Sequence, residues 1–404
     1  MRVGLITTVK HNPGDDWVRW GCQSIIEQAL GGREWIRWQM LNKHAPIAAV
    51  RGLGWLNSRA VCCLPERAKL ALYRLVQCAD GLLPLWADRL RGVDLACVCG
   101  MPAAWSWGGV RCSENEWWGP LVRRRLAGVP LLYLGGGSCQ PASDWNGAMI
   151  REDSGSMSWL GEVQVRSALC TGRDLAMPDT WAILPCPSVF APAWVGLGRN
   201  RAGEGGYSVV NYMLDAGHYA YGAELRRGAW EASMRGIVFW MRQRYGDPVW
   251  AVCHSRRELG LAVRLGADRV VQPGSALELL RVYAGARRGV VNRVHAAMVL
   301  GVMGVPVVCV GNDTRLRMLE ELPKAAPVAW LRVGDGECVQ TAKDALLDAE
   351  NRVGWNSREW VAEVMKHYVE LVCGAFGVGR PKPENPTALI EIRVGGRKGK
   401  GGSP

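Results

Sequence analysis

Short apolar runs alternate along this chain with longer stretches whose apolar positions recur every three or four residues. In the first half, VGLITT leads into a helical pattern near Trp17 to Leu30. DLACVCG and VPLLYLGGG follow as two further buried strands, with helical patterns around Pro65 to Cys78 and Trp117 to Leu126 between or before them. The second half repeats the alternation more cleanly. YSVVNYM, PVWAVCH, DRVVQ, GVVN, VPVVCVG and VAWLRV predict strands. Helices are predicted over Tyr221 to Tyr245, Ser255 to Leu265, Ser275 to Ala284, Val294 to Gly304 and Thr314 to Leu322. Two more close the pattern, near Val339 to Glu350 and Ser357 to Cys373. Unbroken apolar strands alternating with amphipathic helices imply βαβ units and a parallel sheet covered on both faces.

The alternation is interrupted once. GLGRNRAGEGG, Gly196 to Gly206, is rich in glycine and charge and follows the proline-rich PCPSVFAPAW. Such a segment predicts an interdomain linker. The chain thus divides into an α/β Rossmann-like domain over 1–195, a linker over 196–206, and a second Rossmann-like domain over 207–376. Residues 377–404 form a Pro-, Gly- and Lys-rich tail whose end is expected to be disordered. Two such domains face each other across a cleft, and open α/β sheets bind ligands beyond the carboxyl ends of their strands. Candidate chemistry is therefore sought just after each strand.

Composition narrows the class. At 404 residues, 49 % hydrophobic, the chain can bury two sizeable cores. No apolar span is long enough for a membrane helix. MRVGLITTVK reads as a first strand rather than a signal peptide, so a soluble cytoplasmic protein is expected. Fourteen cysteines include no CxxC pair. Cys97, Cys99, Cys253 and Cys309 fall in apolar runs, where cysteine acts as a small hydrophobe. No zinc site is expected, and a reducing compartment fits. The net charge of +12 comes mostly from arginine. The Arg-rich patches (Arg123 to Arg125, Arg226-Arg227, Arg256-Arg257, Arg287-Arg288) are dispersed and lack interleaved aromatics. They are expected to be solvated helix ends, and nucleic acid is not an expected partner.

The strand ends supply candidates. After the first strand, HNPGDDW offers Asn12, Gly14, Asp15 and Asp16. Either aspartate can cap the helix near Trp17; the other is open to a sugar hydroxyl or a base role. Gly135-Gly136-Gly137-Ser138 could bring backbone N–H groups to an anion or form a simple loop. In the second half, His218 follows YSVVNYM, and His254 with Arg256 closes PVWAVCH. Asn292, Arg293 and His295 follow GVV, and Asn312, Asp313 and Arg315 follow VPVVCVG. Arg293 offers a planar grip on phosphate or carboxylate at a helix N-terminus. A histidine beside it gains a proton when an anion arrives, which suits a general acid.

NRVHAAMVLGVMGVPVVCVGNDTRLRMLEEL resembles the signature of the polysaccharide pyruvyl transferase family: Arg293-x-His295, Gly304-x-Pro306, and Asp313-x-Arg315 before the next helix. Asn12, Gly14 and Asp15 resemble that family's first loop. The resemblance is concentrated in residues 285–322. It implies a glycosyltransferase-B-like fold and transfer of pyruvate from phosphoenolpyruvate to two hydroxyls of a saccharide, with a lipid- or nucleotide-linked one among the options, as a ketal. It implies His295 as the acid, Arg293 with Arg315 or Arg256 as anion grips, and Asp15, Asp16 or His254 as the base. It implies no metal and no redox cofactor. One departure stands out: the strand YSVVNYM has no arginine at its end, where many members carry one. His218, Arg226 and Arg256 are the candidates to replace it. Trp105, Trp107, Trp117 and Trp118 are candidate sugar-stacking surfaces. The alternatives are a nucleotide-sugar glycosyltransferase on the same kind of fold and a non-catalytic saccharide-binding relative.

Overall fold

The computed structural model describes residues 1–8, 12–42, 92–100, 102–107, 110–113, 126–141, 144–197, 206–217, 227–333, 338–352 and 355–377, with isolated positions between 64 and 75. The interior of the expected linker, the tail, His218, Arg226, Arg123 to Arg125, Trp117, Trp118 and almost all of the helical patterns at 65–78 and 117–126 lie outside these residues.

Among the described residues, fourteen strands form two sheets. In the first, β1 (Arg2–Thr7), β2 (Arg37–Asn42), β3 (Leu95–Cys99), β6 (Leu131–Cys139), β7 (Leu169–Gly172) and β8 (Ala182–Ile183) pair in parallel, in the order β2-β1-β3-β6-β7-β8. A hairpin of β4 (Pro102–Trp107) and β5 (Val110–Ser113) adds to the far end of β6. In the second, β9 (Tyr207–Val210), β10 (Val249–Val252), β11 (Arg269–Val271), β12 (Ala286–Val291), β13 (Val307–Gly311) and β14 (Val328–Arg332) are all parallel. Their order is β11-β10-β9-β12-β13-β14, the doubly wound 3-2-1-4-5-6 arrangement. The strands are apolar because both faces are covered: all five residues of β3 and of β13 are buried.

Several expectations change in detail. The glycine run after VPLLYL does not form a loop. β6 continues through it to Cys139, and its amides are taken within the fold. Gly135 N donates to Thr171 Oγ1 at 2.8 Å and Ser138 N to Asp174 Oδ2 at 2.8 Å. That strand therefore offers no amide cradle for an anion. Arg287 and Arg288 are not solvated helix ends, because β12 begins at Ala286. Arg288 bridges Asp247 and Glu350, each at 2.6 Å, and lies over the Tyr245 ring, which offsets the cost of placing it in a sheet. The predicted helix after Asp313 is a 3-10 helix, Thr314–Leu319.

The first helix runs from Pro13 to Ala29. It is the chief element joining the two halves. Trp17, fully buried, donates its indole N–H to the Ala276 carbonyl of the second domain at 3.1 Å. The last helix, Ser357–Phe376, returns to the first domain. Its Tyr368 hydroxyl donates to Pro185 O at 2.9 Å, and its ring meets Phe190 edge-on.

Close packing of the first helix sets a test. A Cβ on Gly21 would lie 1.8 Å from the Pro187 carbonyl oxygen, and neither backbone can yield cheaply. Gly21→Ala is expected to destabilise the protein by about 2–4 kcal/mol, read as a lower urea midpoint. Gly161→Ala, where nothing lies within 4 Å, is the control expected to unfold no earlier than the parent.

Candidate functional site

In a doubly wound sheet the crevice opens where strand order reverses, here between β9 and β12. The residues that end these strands and their neighbours build the site. Asn292, just after β12, is buried and fully used. Its Oδ1 accepts from Met213 N and its Nδ2 donates to Val310 O, each at 2.9 Å. It ties the ends of β9, β12 and β13 together, which replaces the substrate-binding role expected of it. Asn211, after β9, donates to Val252 O at 2.9 Å and to Glu258 at 3.4 Å.

Glu258 is the organising carboxylate. It lies in the first turn of the helix Arg256–Arg264. Oε2 accepts from the His254 amide at 2.7 Å, and Oε1 pairs with the Arg293 guanidinium. No local motif singles it out: Ser255-x-x-Glu258 has only the spacing of a helix capping box. The Ser255 hydroxyl reaches Glu258 Oε1 at 3.4 Å, but no side chain caps this helix. Arg293 caps the next helix, Val294–Val302, with no side-chain bond to it. The first intrahelical bonds come from Ala296 and Ala297 to Arg293 O. The amides of Val294 and His295 precede them and face the N-terminal end, where anions are favoured. Arg293 Nε is buried without a protein partner among the described residues.

His254 is 7 % exposed and meets Tyr283 OH through Nε2 at 2.7 Å. Trp17 packs edge-on against both rings, at 5.8 and 6.0 Å. Burial, then the nearby charges of Arg293 and His295, holds the imidazole well below its ordinary range, so His254 stays neutral. A neutral imidazole can accept a proton, although a weakened base accepts it less readily.

The first domain closes over this cluster. A Cβ on Gly14 would stand 2.5 Å from His295 Nδ1, so only glycine admits the imidazole there. The helix is capped by Asn12, not by Asp15 or Asp16: Asn12 Oδ1 accepts from Gly14 N at 3.2 Å. Pro13 explains the shift, since proline starts a helix well and keeps the residue before it extended. Asp15 is thereby freed from capping and lies 3.5 Å from Asn12 Nδ2. Asp16 pairs with Arg19 at 2.5 Å. Burial raises its carboxyl above the usual range, Arg19 opposes that, and Asp15 adds to it.

The second edge of the cleft is a clasp. Thr314 N donates to Gln140 O at 2.9 Å, Gln140 N donates to Thr314 Oγ1 at 3.0 Å, and the Ser138 and Thr314 hydroxyls share a bond at 3.0 Å. The expected anion grip of Arg315 is not offered here. Its guanidinium folds onto Asp313, two residues back, at 2.8 and 2.6 Å. Asp313 is thus both helix cap and counter-ion. Asn312 donates to Asp215 O at 2.5 Å. Arg256 lies exposed on its helix, outside the cluster. The structure therefore brings Asn12, Gly14, Asp15, Asp16, His254, Arg293 and His295 to one side of the cleft, with Glu258 and Tyr283 behind them.

No family model matches the sequence, and no curated protein matches it. Solved structures do resemble the fold. A Listeria monocytogenes protein described as a UDP-N-acetylglucosamine 2-epimerase has a TM-score of 0.54 at 10 % identity, over 94 % of this chain and 98 % of that one. S. aureus MnaA, in a co-structure with UDP, has a TM-score of 0.50 at 9 % identity over 95 % and 98 %. The Methanocaldococcus jannaschii UDP-GlcNAc 2-epimerase, in complex with UDP-GlcNAc and UDP, has a TM-score of 0.50 at 10 % identity over 93 % and 100 %. These likenesses establish a glycosyltransferase-B-like fold, two Rossmann-like domains facing a cleft. Among the described residues, no helix is long and apolar enough to cross a membrane.

His254 sets a pH signature. Its folded pKa is depressed, so below about pH 6.5 the unfolded chain takes up a proton that the folded chain refuses. The stability linked to His254 is present above that pH and lost as pH falls, at up to about 1.4 kcal/mol per unit. Urea unfolding between pH 7.5 and 5 should show a steeper loss in the parent than in His254→Gln. Parallel slopes would refute the assignment of a buried neutral imidazole.

Proposed function

We propose that the chain is a transferase that binds a phosphate-bearing donor at the N-terminus of the helix Val294–Val302 and passes its group to a saccharide hydroxyl. The observation that carries this reading is the convergence of Arg293, His295 and the first amides of that helix at the switch point of the second sheet. There, charge developing on a departing phosphate oxygen would meet a guanidinium and the positive end of a helix. His295 reaches the same place from the helix, pressed against Gly14 of the first domain. The acceptor then comes from the side of Asn12, Asp15 and Asp16. Asp16, with its raised carboxyl, is the group best suited to take the hydroxyl proton, and neutral His254, a weaker base, is the second candidate.

A nucleotide-linked sugar is the donor class we favour, because solved structures with this fold carry UDP or UDP-GlcNAc. A second reading is pyruvyl transfer from phosphoenolpyruvate. Arg293-x-His295 at a helix start and Gly304-x-Pro306 after it favour that reading. Among the described residues, the pairing of Arg315 with Asp313 and the placement of neutral Asn211 at the end of β9 leave Arg293 as the guanidinium at the helix start. A small anion with both a phosphate and a carboxylate is less well matched to one guanidinium than a diphosphate along a helix N-terminus.

The test offers nucleotide-sugars and, separately, phosphoenolpyruvate, each with a panel of glycans. Release of a nucleoside diphosphate with a mass gain on the glycan is the expected result. Arg293→Ala should lower kcat/KM about 10- to 100-fold, as for a lost charged hydrogen bond. His295→Ala should lower kcat about 10²- to 10⁴-fold if it moves a proton. Inorganic phosphate released from phosphoenolpyruvate, with a ketal on the glycan, would replace the first reading by the second. Binding of glycans without turnover of either donor would remove both.

A further inference from the structure

The cleft makes no use of the buried cysteines, and three of them converge. Cys97 and Cys99 are two apart on β3, so both side chains leave the same face of the sheet. Cys22 projects from the first helix, which packs against the sheet, and joins them in one core. The three sulfurs all lie within 4.8 Å of one another. The residues are 0 %, 0 % and 3 % exposed for Cys22, Cys97 and Cys99. Packing accounts readily for isolated buried cysteines. It gives no reason for three sulfurs to face one point.

Buried arginines lie in the same part of the fold. Arg173 is 2 % exposed. Its Nη1 donates to the carbonyl of Gly100, the residue after Cys99, at 3.3 Å, and reaches Cys186 Sγ at 3.9 Å. Its Nε has no hydrogen-bond partner among the described residues, and the buried carboxylate of Asp174 beside it balances its charge. Arg19, also buried and paired with Asp16, lies one turn before Cys22 on the first helix. Buried positive charge thus lies close to sulfurs that are neutral as thiols and anionic as metal ligands.

We propose that Cys22, Cys97 and Cys99 form a three-coordinate thiolate site for a soft monovalent cation, Cu(I). Thiolates select Cu(I) and Zn(II) over harder ions. A metal–sulfur bond of about 2.3 Å in a trigonal array places sulfurs about 4.0 Å apart, so the cluster needs only slight contraction. Structural zinc takes four ligands, and the cluster found among the described residues holds three. Three S–H bonds break and three Cu–S bonds form. Three protons pass to solvent and no electron is transferred. The ion ties the first helix to β3 and so fixes the helix start that carries Asn12, Gly14, Asp15 and Asp16. The inference is independent of the reading given to the cleft.

The test uses the full chain with Cys62→Ser and Cys63→Ser, which removes the adjacent cysteine pair. The reduced, anaerobic protein is titrated with Cu(I) held by a competing chelator. One equivalent more should bind than in the same chain with Cys97→Ala and Cys99→Ala, with at least tenfold tighter retention. Cys309→Ala, another buried cysteine outside the cluster, should bind as the parent does. If the double variant fails to fold, X-ray absorption on the parent with one equivalent decides: three sulfur neighbours and no nitrogen or oxygen are expected. Equal uptake by parent and double variant, a different neighbour set, uptake of Zn(II) but not Cu(I), or a native disulfide among the three cysteines would each overturn the proposal.

Discussion

The carboxylate of Glu258 holds the second sheet's crevice in shape. From the first turn of its helix it receives the amide of His254 after β10, the amide of Asn211 after β9 and the guanidinium of Arg293 after β12. Strands that are merely adjacent in a sheet leave their last residues free to diverge. Here one buried anion pulls three strand ends to a point, and Asn292 fastens β13 beside them. Breaking such a network strands a buried charge, which costs far more than the network gains over an apolar core. The arrangement therefore favours a single geometry for Arg293. It also leaves Arg293 anchored on one side, with Nε unpaired among the described residues.

The two domains complete the site from opposite directions. On one edge Gly14 accepts the imidazole of His295 at a distance no side chain would allow, and Trp17 covers His254 and Tyr283. On the other, Ser138 and Gln140 hold Thr314, with Trp145 stacked on Trp330 at 5.1 Å beyond them. A cleft held at both edges fixes the groups between them in one arrangement. It also places the acidic start of the first helix opposite the cationic start of the Val294 helix. That opposition suits a reaction with an anionic donor on one side and a hydroxyl acceptor on the other.

Much of this was legible in the sequence, because strand and helix patterns differ in period and the second domain's alternation is clean. Arg293 and His295 could be found from their position at a strand end. What the sequence hid were contacts made over long separations. Glu258 carries no sequence signal of its role, because the capping-box spacing from Ser255 says nothing of a buried counter-ion. Arg315 looked available, but a guanidinium two residues from a cap carboxylate folds back onto it. The glycine run resembled an anion loop until Thr171 and Asp174 proved to hold its amides. Cys22 is 75 or more residues from Cys97 and Cys99, and no local motif signals their meeting. His218 and Arg226, expected near the same crevice, lie outside the described residues.

The central claim is that a donor phosphate sits at the start of the Val294 helix, between Arg293 and the first domain. The most direct measurement is a crystal structure with a bound nucleotide-sugar. It should show phosphate oxygens within about 3 Å of the Arg293 guanidinium and of the first amides of that helix, with His295 beside them. A phosphate held elsewhere in the cleft, with Arg293 bonded to Glu258 alone, would contradict the account.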